Sequence, residues 1–264
     1  MFNKKYMTQF VLLILILCLF VCVSFQIFRG MRSRGTLLPY HQTICMTIKD
    51  KSNIPSYIYE QYNTYAPEYS LVVYDDEECL QFLKSHYGDP YVHKFLSIRK
   101  GPHRADFFRY AYLYKMGGVY LDVKTILIKP LREVFPRDDL CYMVLSINNG
   151  SIYNGIICTP PQNPFIHVLL EQMLENPSLD QEENHYLQNT FQAFDSLKKM
   201  KGMHPPLLGF NRIEGAPDTV LFVEKNMHDP SFKKDRYGFN VFALDVDGTP
   251  LIKIRDVNYT ENYE

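Results

Sequence analysis

The amino-acid sequence predicts an α/β fold whose sheet includes parallel strands, preceded by an N-terminal membrane segment. Strand-like and helix-like segments alternate in the first half of the chain, which is typical of that fold class. The 264 residues are 46% hydrophobic, enough to bury the core of one domain. The net charge of −1 argues against a nucleic-acid-binding protein, which would carry a basic surface.

The membrane segment is predicted from residues 6–28, which carry no charge. An uncharged stretch of this length can cross a bilayer as a helix, which needs about 20 residues. A cleaved signal peptide is the alternative, but its apolar core would be shorter, and no Ala-x-Ala-like cleavage site follows. We therefore expect four regions: a cytoplasmic tail at 1–5, a signal anchor at 6–28, a stem at 29–36 and one domain at 37–264.

The first part of the domain is predicted to alternate between strands and helices. In chain order we expect a strand at 43–48, a helix at 56–65, a strand at 70–74, a helix that begins at Asp75-Asp76 and a helix at 91–98. The two aspartates favour a helix start because acidic side chains cap the first turn. This order predicts neighbouring parallel strands in one sheet.

The middle of the chain combines a helix, a glycine stop and a short strand. Residues 104–115 have helical spacing, with apolar residues available for one face. Gly117 and Gly118 should end this helix, since glycine tolerates the left-handed conformation at a helix C-terminus. The β-rich run 119–121 then predicts a strand that ends at Asp122.

The second part of the domain is predicted to add strands, helices and a final hairpin. These are strands at 141–147 and 152–158, helices at 163–175 and 183–199, and a hairpin over 241–254 that turns at Asp247-Gly248. The domain also contains four scattered cysteines, Cys45, Cys79, Cys141 and Cys158. We expect them either in one or two disulfides or as buried thiols.

Three charged residues around the central strand predict a binding site. Asp106 and Arg109 are three residues apart and so share one helical face. Asp122 follows a strand, and ligands of open α/β sheets bind beyond the carboxyl ends of the strands. A carboxylate there can hold a divalent cation against a diphosphate. The alternative is a surface ion pair between Asp106 and Arg109 beside a turn aspartate.

The motif R-A-D-x-x-R-Y-x-x-L-Y-x-x-G-G-V-Y-L-D, which spans residues 104–122, resembles the signature of the DXD-containing sugar transferases. This family, glycosyltransferase family 32, includes the initiation-specific α-1,6-mannosyltransferases and is similar to the catalytic core of the large clostridial glucosylating toxins. Weaker similarities, at 39–43, 66–76 and 154–165, occur in the family's order. The resemblance implies a GT-A fold, which is a single Rossmann-like α/β domain, and sugar transfer with retention of anomeric configuration.

The resemblance also implies a role for each matching residue. Asp122, as the first aspartate of the D-x-D motif, would face the ribose and a Mn²⁺ or Mg²⁺ ion. Asp106 and Arg109 would contact the donor sugar and the diphosphate. The remaining implied donor-binding residues are Arg104, Gly118, Tyr120, His41 and Gln42. Outside the matched motif, Asp218 and His228 are candidates for a further metal ligand.

Lys124 stands where the family has the second aspartate of D-x-D. A protonated lysine cannot ligate a cation, so three possibilities follow. Asp122 holds the metal together with the diphosphate, water and a later residue; or the Lys124 ammonium neutralises the leaving diphosphate in place of a metal; or the site is inactive. We favour the first, with Asp122 and Lys124 as the catalytic residues.

The sequence therefore predicts a membrane-anchored glycosyltransferase. Its partners would be a UDP- or GDP-sugar donor, a glycan, protein or lipid acceptor, and the membrane, with no nucleic acid. We expect a single-pass type II protein of the Golgi or endoplasmic reticulum membrane with a lumenal domain, although the positive-inside rule slightly favours the opposite orientation. The alternative is an inactive sugar- or nucleotide-binding module on the same fold. A glycoside hydrolase is disfavoured because Asp122 has no second carboxylate at a recognisable spacing.

Overall fold

The structure, a computed structural model, describes residues 42–146, 150–176, 185–200, 208–228, 230–231 and 240–254. The predicted cytoplasmic tail, signal anchor and stem lie outside these residues, and so does His41. Within the described ranges, no helix is long and apolar enough to cross a membrane. The membrane segment therefore stays a prediction from the sequence.

Ten strands of the described chain form one mixed sheet. They are β1 (Thr43–Thr47), β2 (Ser70–Tyr74), β3 (Gly118–Leu121), β4 (Ile126–Leu127), β5 (Cys141–Leu145), β6 (Ile152–Thr159), β7 (Gly209–Asn211), β8 (Thr219–Met227), β9 (Asn240–Leu244) and β10 (Pro250–Lys253). Their order across the sheet is β2-β1-β3-β6-β5-β8-β9-β10-β4, and β7 pairs with the start of β8. Strands β1, β2 and β3 are parallel, as are β5 and β8, whereas β6 is antiparallel to both β3 and β5. The carboxyl ends of β1, β2, β3, β5 and β8 therefore meet at one edge of the sheet.

Helices cover both faces of this sheet. The α-helices of the described residues are α1 (Ser56–Tyr65), α2 (Asp76–His86), α3 (Asp89–Ser97), α4 (Gly101–Met116), α5 (Leu131–Val134), α6 (Pro164–Glu175) and α7 (His185–Lys199). Helices α2, α3, α4, α6 and α7 bury apolar side chains against the face that includes Cys45 and Met143. Helices α1 and α5 do so against the face that includes Ile44 and Val144. Neighbouring strand residues such as Ile44 and Cys45 thus point to opposite faces, as the two-residue period of a strand requires.

The predicted mixture of helices and strands is confirmed. Helix α1 and strand β2 have the predicted bounds. Helix α2 starts with a capping box, in which the Asp75 side chain accepts from the N–H of Glu78 and the Glu78 side chain accepts from the N–H of Asp75. The predicted C-terminal hairpin is present as β9 and β10, and its turn places Gly248 at φ 83°.

Three strands and one α-helix of the described residues were not predicted: β4, β7, β8 and α5. The most important of them is β8, because it pairs with β5 along one side and with β7 and β9 along the other. Its sequence is apolar at first but continues with Glu224-Lys225-Asn226, which hides the strand pattern. Only its position in the sheet shows that these polar residues continue a strand.

Helix α4 is more buried than a helix with one apolar face. Every residue from Asp106 to Leu113 is buried, so more than two helical turns are enclosed on all sides. The helix ends at Gly117, which has φ 68° and whose Cβ, if present, would lie 2.6 Å from the backbone nitrogen of Pro161. Glycine is required there by conformation and by space. The chain then enters β3 directly, which brings Asp122 back beside the helix.

The four cysteines of the domain are buried free thiols in the structure. Burial raises the pKa of each of them, so they are protonated at neutral pH. The sequence left disulfides and buried thiols as alternatives, and the structure agrees with buried thiols.

Candidate functional site

The candidate site lies at the carboxyl end of β3, where Asp122 follows the strand. The backbone N–H of Asp122 donates to the carbonyl of Gly155 in β6, at 2.8 Å. The N–H of Thr125 donates to the carbonyl of Asp122, also at 2.8 Å, which closes a tight turn. The Asp122 side chain is 23% exposed, and Lys124 is exposed within the turn. The two residues predicted to be catalytic are thus held together at the edge where parallel strands end.

Helix α1 fixes the far side of this turn through Gln61. The Gln61 side-chain amide donates from Nε2 to the carbonyl of Thr125, at 3.0 Å. Its Oε1 accepts from the backbone N–H of Leu127, at 2.8 Å. A buried glutamine therefore satisfies one backbone group of the short strand β4 and one of Thr125, the residue just before it, as a neighbouring strand would. This contact could not be predicted from the sequence, because Gln61 lies far from the turn along the chain.

We expect Gln61→Ala to lower the free energy of unfolding by about 2–4 kcal/mol, since it leaves two buried backbone groups without partners. Urea unfolding of the variant would measure this loss. The matched control is Gln81→Ala, because Gln81 is exposed on α2 and its 3.4 Å bond joins two exposed side chains. Equal stability of the two variants would mean that Gln61 does not hold the turn.

Arg109 is the centre of the charged cluster behind Asp122. Its Nη2 lies 3.0 Å from Oδ1 of Asp106 and 3.2 Å from Oδ1 of Asp122. Its Nη1 donates to the carbonyl of Asn154, at 2.5 Å, and the guanidinium stacks 4.3 Å from the ring centroid of Tyr120. The side chains of Asp106 and Arg109 are only 1% and 3% exposed. The alternative of a surface ion pair is therefore wrong: the pair is buried, and it reaches the strand-end carboxylate.

Burial and charge act against each other in this cluster. Burial raises the pKa of Asp106 to about 6, with Arg109 opposing the rise and Asp122 adding to it. Burial lowers the pKa of Arg109, but Tyr120, Asp122 and Asp106 together raise it well above its usual value, so it stays a cation. At neutral pH one cation thus lies between two carboxylates. The excess negative charge favours a cation near Asp122, the partly exposed member.

Three consecutive residues of β6 complete the site. In the pairing of β5 with β6, Tyr142 lies opposite Cys158 and Val144 lies opposite Tyr153. One residue of β5 thus faces four residues of β6, so β6 is irregular over residues 154–157. The carbonyl of Asn154 accepts from Arg109, and the carbonyl of Gly155 accepts from the N–H of Asp122. The Tyr153 hydroxyl donates to Oδ2 of Asp122, at 3.4 Å. The sequence pointed to Asn154 and Gly155 only through a weak family similarity and gave no signal for Tyr153.

The other residues predicted to bind the donor differ in whether they contact the cluster around Arg109. The hydroxyl of Tyr120 lies 2.9 Å from Oγ1 of Thr47, and its ring faces Arg109. Gly118 opens β3 with φ 95°, and Gln42 directly precedes β1. Arg104 instead pairs with Asp76, at 2.6 Å, and donates to the carbonyl of Ile98. These contacts join α4 to α2 and α3, and a role of Arg104 in donor binding stays a prediction.

The two further candidates for metal ligands, Asp218 and His228, lie at the two ends of β8. Asp218 immediately precedes β8, at the opposite edge of the sheet, where its Oδ1 accepts from the N–H of Ile213 at 3.0 Å. His228 follows the end of β8, on the same edge of the sheet as Asp122, and its role as a metal ligand stays a prediction. Among the described residues there is no group of three or more His, Cys, Asp or Glu side chains that could hold a metal ion.

Comparison with known families supports the motif on which the site depends. Residues 53–143 match the family described as "Glycosyltransferase sugar-binding region containing DXD motif". This region runs from before α1 into β5 and includes Asp106, Arg109, Asp122 and Lys124. The resemblance predicted from the sequence is confirmed.

Three curated relatives share the same name, initiation-specific alpha-1,6-mannosyltransferase. The protein of Saccharomyces cerevisiae is 32% identical over 128 residues, which cover 44% of this chain and 26% of the relative. The Candida albicans protein is 31% identical over 121 residues, which cover 43% and 31%. The Schizosaccharomyces pombe protein is 32% identical over 110 residues, which cover 38% and 28%. The chain spans about a quarter to a third of the length of the curated relatives that it matches.

Among solved structures, the PaToxG glycosyltransferase aligns with a TM-score of 0.46 and 15% sequence identity, over 60% of this chain and 68% of that one.

Proposed function

We propose that this chain is a glycosyltransferase that moves a sugar from a nucleotide-sugar donor to a glycan, protein or lipid acceptor at the Asp122 turn. The observation that supports this best is the buried Arg109 guanidinium, which bridges Asp106 to the partly exposed Asp122 at the carboxyl end of β3. The family match over residues 53–143 includes this cluster, and the three curated relatives are named as mannosyltransferases, so a mannose donor is the first to test. A GT-A fold and retention of anomeric configuration are part of the same proposal.

Arg109 acts in this proposal by orienting Asp122 rather than by binding the diphosphate directly. Its side chain is 3% exposed and already contacts two carboxylates, two carbonyls and one aromatic ring. A donor could reach it only if the cluster opened. Asp122 is the member that a donor can contact, and a carboxylate held from behind loses little entropy when it binds.

Departure of a nucleoside diphosphate develops negative charge on the leaving oxygen, and positive charge fixed nearby stabilises that transition state. Lys124 is exposed on the same turn as Asp122, and the structure gives it no ion pair within the described residues. It can therefore approach a diphosphate bound at the turn. Of the charged residues discussed above, it is the cation best placed to do so.

The residues at the turn fit a divalent cation only in part. Asp122 offers carboxylate oxygens, and its negative charge is not neutralised because the charges of Arg109 and Asp106 behind it offset one another; both features favour Mg²⁺ or Mn²⁺. An ion of this kind commonly binds through one or two carboxylates and completes its shell with phosphate oxygens and water. Bound there, it would supply neutralisation of the diphosphate. Asp122 would then anchor the ion while Lys124 contacts the phosphate.

The proposal is tested with a panel of nucleotide sugars, each incubated with the full chain in the presence and absence of Mn²⁺. We expect release of nucleoside diphosphate from at least one donor, because sugar transferases hydrolyse their donors slowly when no acceptor is present. A panel without hydrolysis or transfer, under every metal tested, would contradict the proposal.

Lys124 provides a prediction that separates metal dependence from fixed-charge catalysis. We expect a chelator to stop the wild type, because Lys124 cannot ligate the ion and one ammonium replaces only part of its charge. Lys124→Asp should retain activity or need less Mn²⁺ for half-maximal turnover, because it adds an oxygen ligand. Turnover measured against Mn²⁺ concentration gives both quantities. Full wild-type activity in excess chelator would instead assign the neutralising role to Lys124.

The control for this substitution is Lys225→Asp. Lys225 is exposed on β8, so the variant makes the same charge change away from the turn. It should leave the metal dependence as in the wild type.

Lys124 also supports a second candidate, an inactive module that binds nucleotide sugars on the same fold. A lysine in place of a metal-ligating aspartate is a way in which a transferase site can lose activity while its pocket persists. The same panel separates the two: measurable donor binding by calorimetry, without any hydrolysis or transfer, favours the module.

A further inference from the structure

We infer that Tyr153 and Gly155 are positioning residues for the Asp122 carboxylate: Tyr153 holds its outer oxygen, and Gly155 leaves the space in which the two side chains meet. This inference deepens the proposed function and rests on Asp122 as the residue that contacts the donor. Neither residue belongs to the motif between 104 and 122, and both come from the irregular part of β6.

The two oxygens of Asp122 have different partners in the structure. Arg109 donates to Oδ1 from behind, at 3.2 Å, and Tyr153 donates to Oδ2 from the side, at 3.4 Å. Contacts at both oxygens fix the plane of the carboxylate as well as its position. Each carboxylate oxygen can accept more than one bond, so both keep capacity for a cation or a donor hydroxyl. The side chain is therefore oriented and still available.

Gly155 makes this arrangement possible because it has no side chain. A Cβ at residue 155 would lie 2.4 Å from the Tyr153 hydroxyl oxygen and 2.5 Å from Oδ2 of Asp122. Both distances are far below contact distance, so any other amino acid would push the two side chains away. Gly155 has no positive φ, which means that space and not backbone conformation requires glycine there.

The spacing of Tyr153 and Gly155 explains why both lie beside the same carboxylate. In a strand, successive side chains point to opposite faces of the sheet, so two residues that are two apart share a face. Extra residues in one strand bend it and change the direction of its side chains, and such irregularities are frequent beside active sites. The Gly155 carbonyl, which accepts from the N–H of Asp122 at 2.8 Å, keeps the two strands joined at this point. The backbone is thus held at this point, so an added Cβ at residue 155 would displace the side chains of Tyr153 and Asp122 rather than the backbone.

Gly155→Ala should therefore change the site more than the fold. The atoms that a new methyl group meets are the ends of two side chains, and these can move away without movement of the backbone. We expect turnover to fall by about tenfold or more, because misplacing a reacting group by about 1 Å can cost on the order of 100-fold. Tyr153→Phe should raise the Mn²⁺ concentration for half-maximal turnover, since it frees Oδ2 while keeping the ring.

The experiment compares Gly155→Ala, Tyr153→Phe and the control Gly101→Ala in turnover, Mn²⁺ dependence and urea unfolding. Gly101 lies in the first turn of α4, and a Cβ there would meet no atom within 4 Å. Loss of turnover at Gly155, with an unfolding midpoint close to that of the control, supports the inference. Wild-type turnover and Mn²⁺ dependence in both site variants would overturn it while leaving the proposed function intact.

A second measurement does not require activity. The unfolding midpoint of Tyr153→Phe is compared in the wild type and in an Asp122→Ala background. If Tyr153 holds Asp122, the two substitutions are not additive, because the contact is already absent in that background. Additive effects would overturn the inference even if no donor is found. Coupling between the two substitutions, without activity on any donor, would instead support the contact between Tyr153 and Asp122 and contradict the proposed function.

Discussion

Asp122→Asn should reduce sugar transfer by about 100-fold or more while the protein still folds, because the substitution removes the charge that anchors the cation and diphosphate. Asparagine keeps an oxygen that can accept from Arg109, and Arg109 keeps Asp106 as its counter-ion. The free energy of unfolding should therefore stay within about 1 kcal/mol of the wild type. The expected result is a large loss in catalysis with a small loss in stability.

Initial rates of transfer and donor hydrolysis, together with urea unfolding, measure the two effects on the same preparation. Asp195→Asn is the matched control, since Asp195 pairs with Lys198 on the surface of α7, far from the turn along the chain. It should behave as the wild type in every assay. Activity of Asp122→Asn within a few-fold of the wild type would remove Asp122 from the site.

Arg109→Ala should have the largest effect on stability. It leaves the buried Asp106 and the partly buried Asp122 without their cation, and removal of one partner from a buried ion pair costs about 3–5 kcal/mol. It also removes the donor to the Asn154 carbonyl. We expect a lower unfolding midpoint in urea and a loss of donor hydrolysis, because Asp122 is no longer oriented.

Two further variants keep this prediction testable if Arg109→Ala does not fold. Arg109→Lys retains the charge, but its three N–H donors cannot serve two carboxylates and two carbonyls at once, so an intermediate loss is expected. Arg109→Met combined with Asp106→Leu removes both buried charges and should recover stability without recovering activity. The control, Arg137→Ala, breaks an exposed pair with Asp139 and should unfold at the wild-type midpoint. An unchanged midpoint for Arg109→Ala would contradict the buried cluster.

The central motif could be read from the sequence because its signals are local. The glycine after α4, the strand that follows it and the strand-end aspartate each depend on neighbours within a few residues. Strand β8 could not be read in this way. Its polar half is stabilised by pairing with β9, so only distant residues reveal that it is a strand.

The candidate site shows the same limit. Spacing placed Asp106 and Arg109 on one helical face, but it gave no information on whether that face is buried. Their burial comes from the other elements that enclose α4, and the contact with Asp122 comes from the return of the chain through β3. Gln61 and Tyr153 touch the turn from distant parts of the sequence. Contacts of this kind follow from the tertiary fold alone.

The position of β4 has a consequence for how the site forms during folding. Strand β3 is third in the sheet and β4 is last, six strand spacings away, or about 29 Å if the sheet were flat. The five peptide steps from Leu121 to Ile126 can span at most about 18 Å. The sheet must therefore curl until its final strands return beside β3, and the Asp122 turn is the link that joins the two margins. This closure depends on β10, which lies at the C-terminal end of the described chain and pairs with β4. Because contacts between segments distant in sequence form slowly, we expect the turn to acquire its final geometry late in folding.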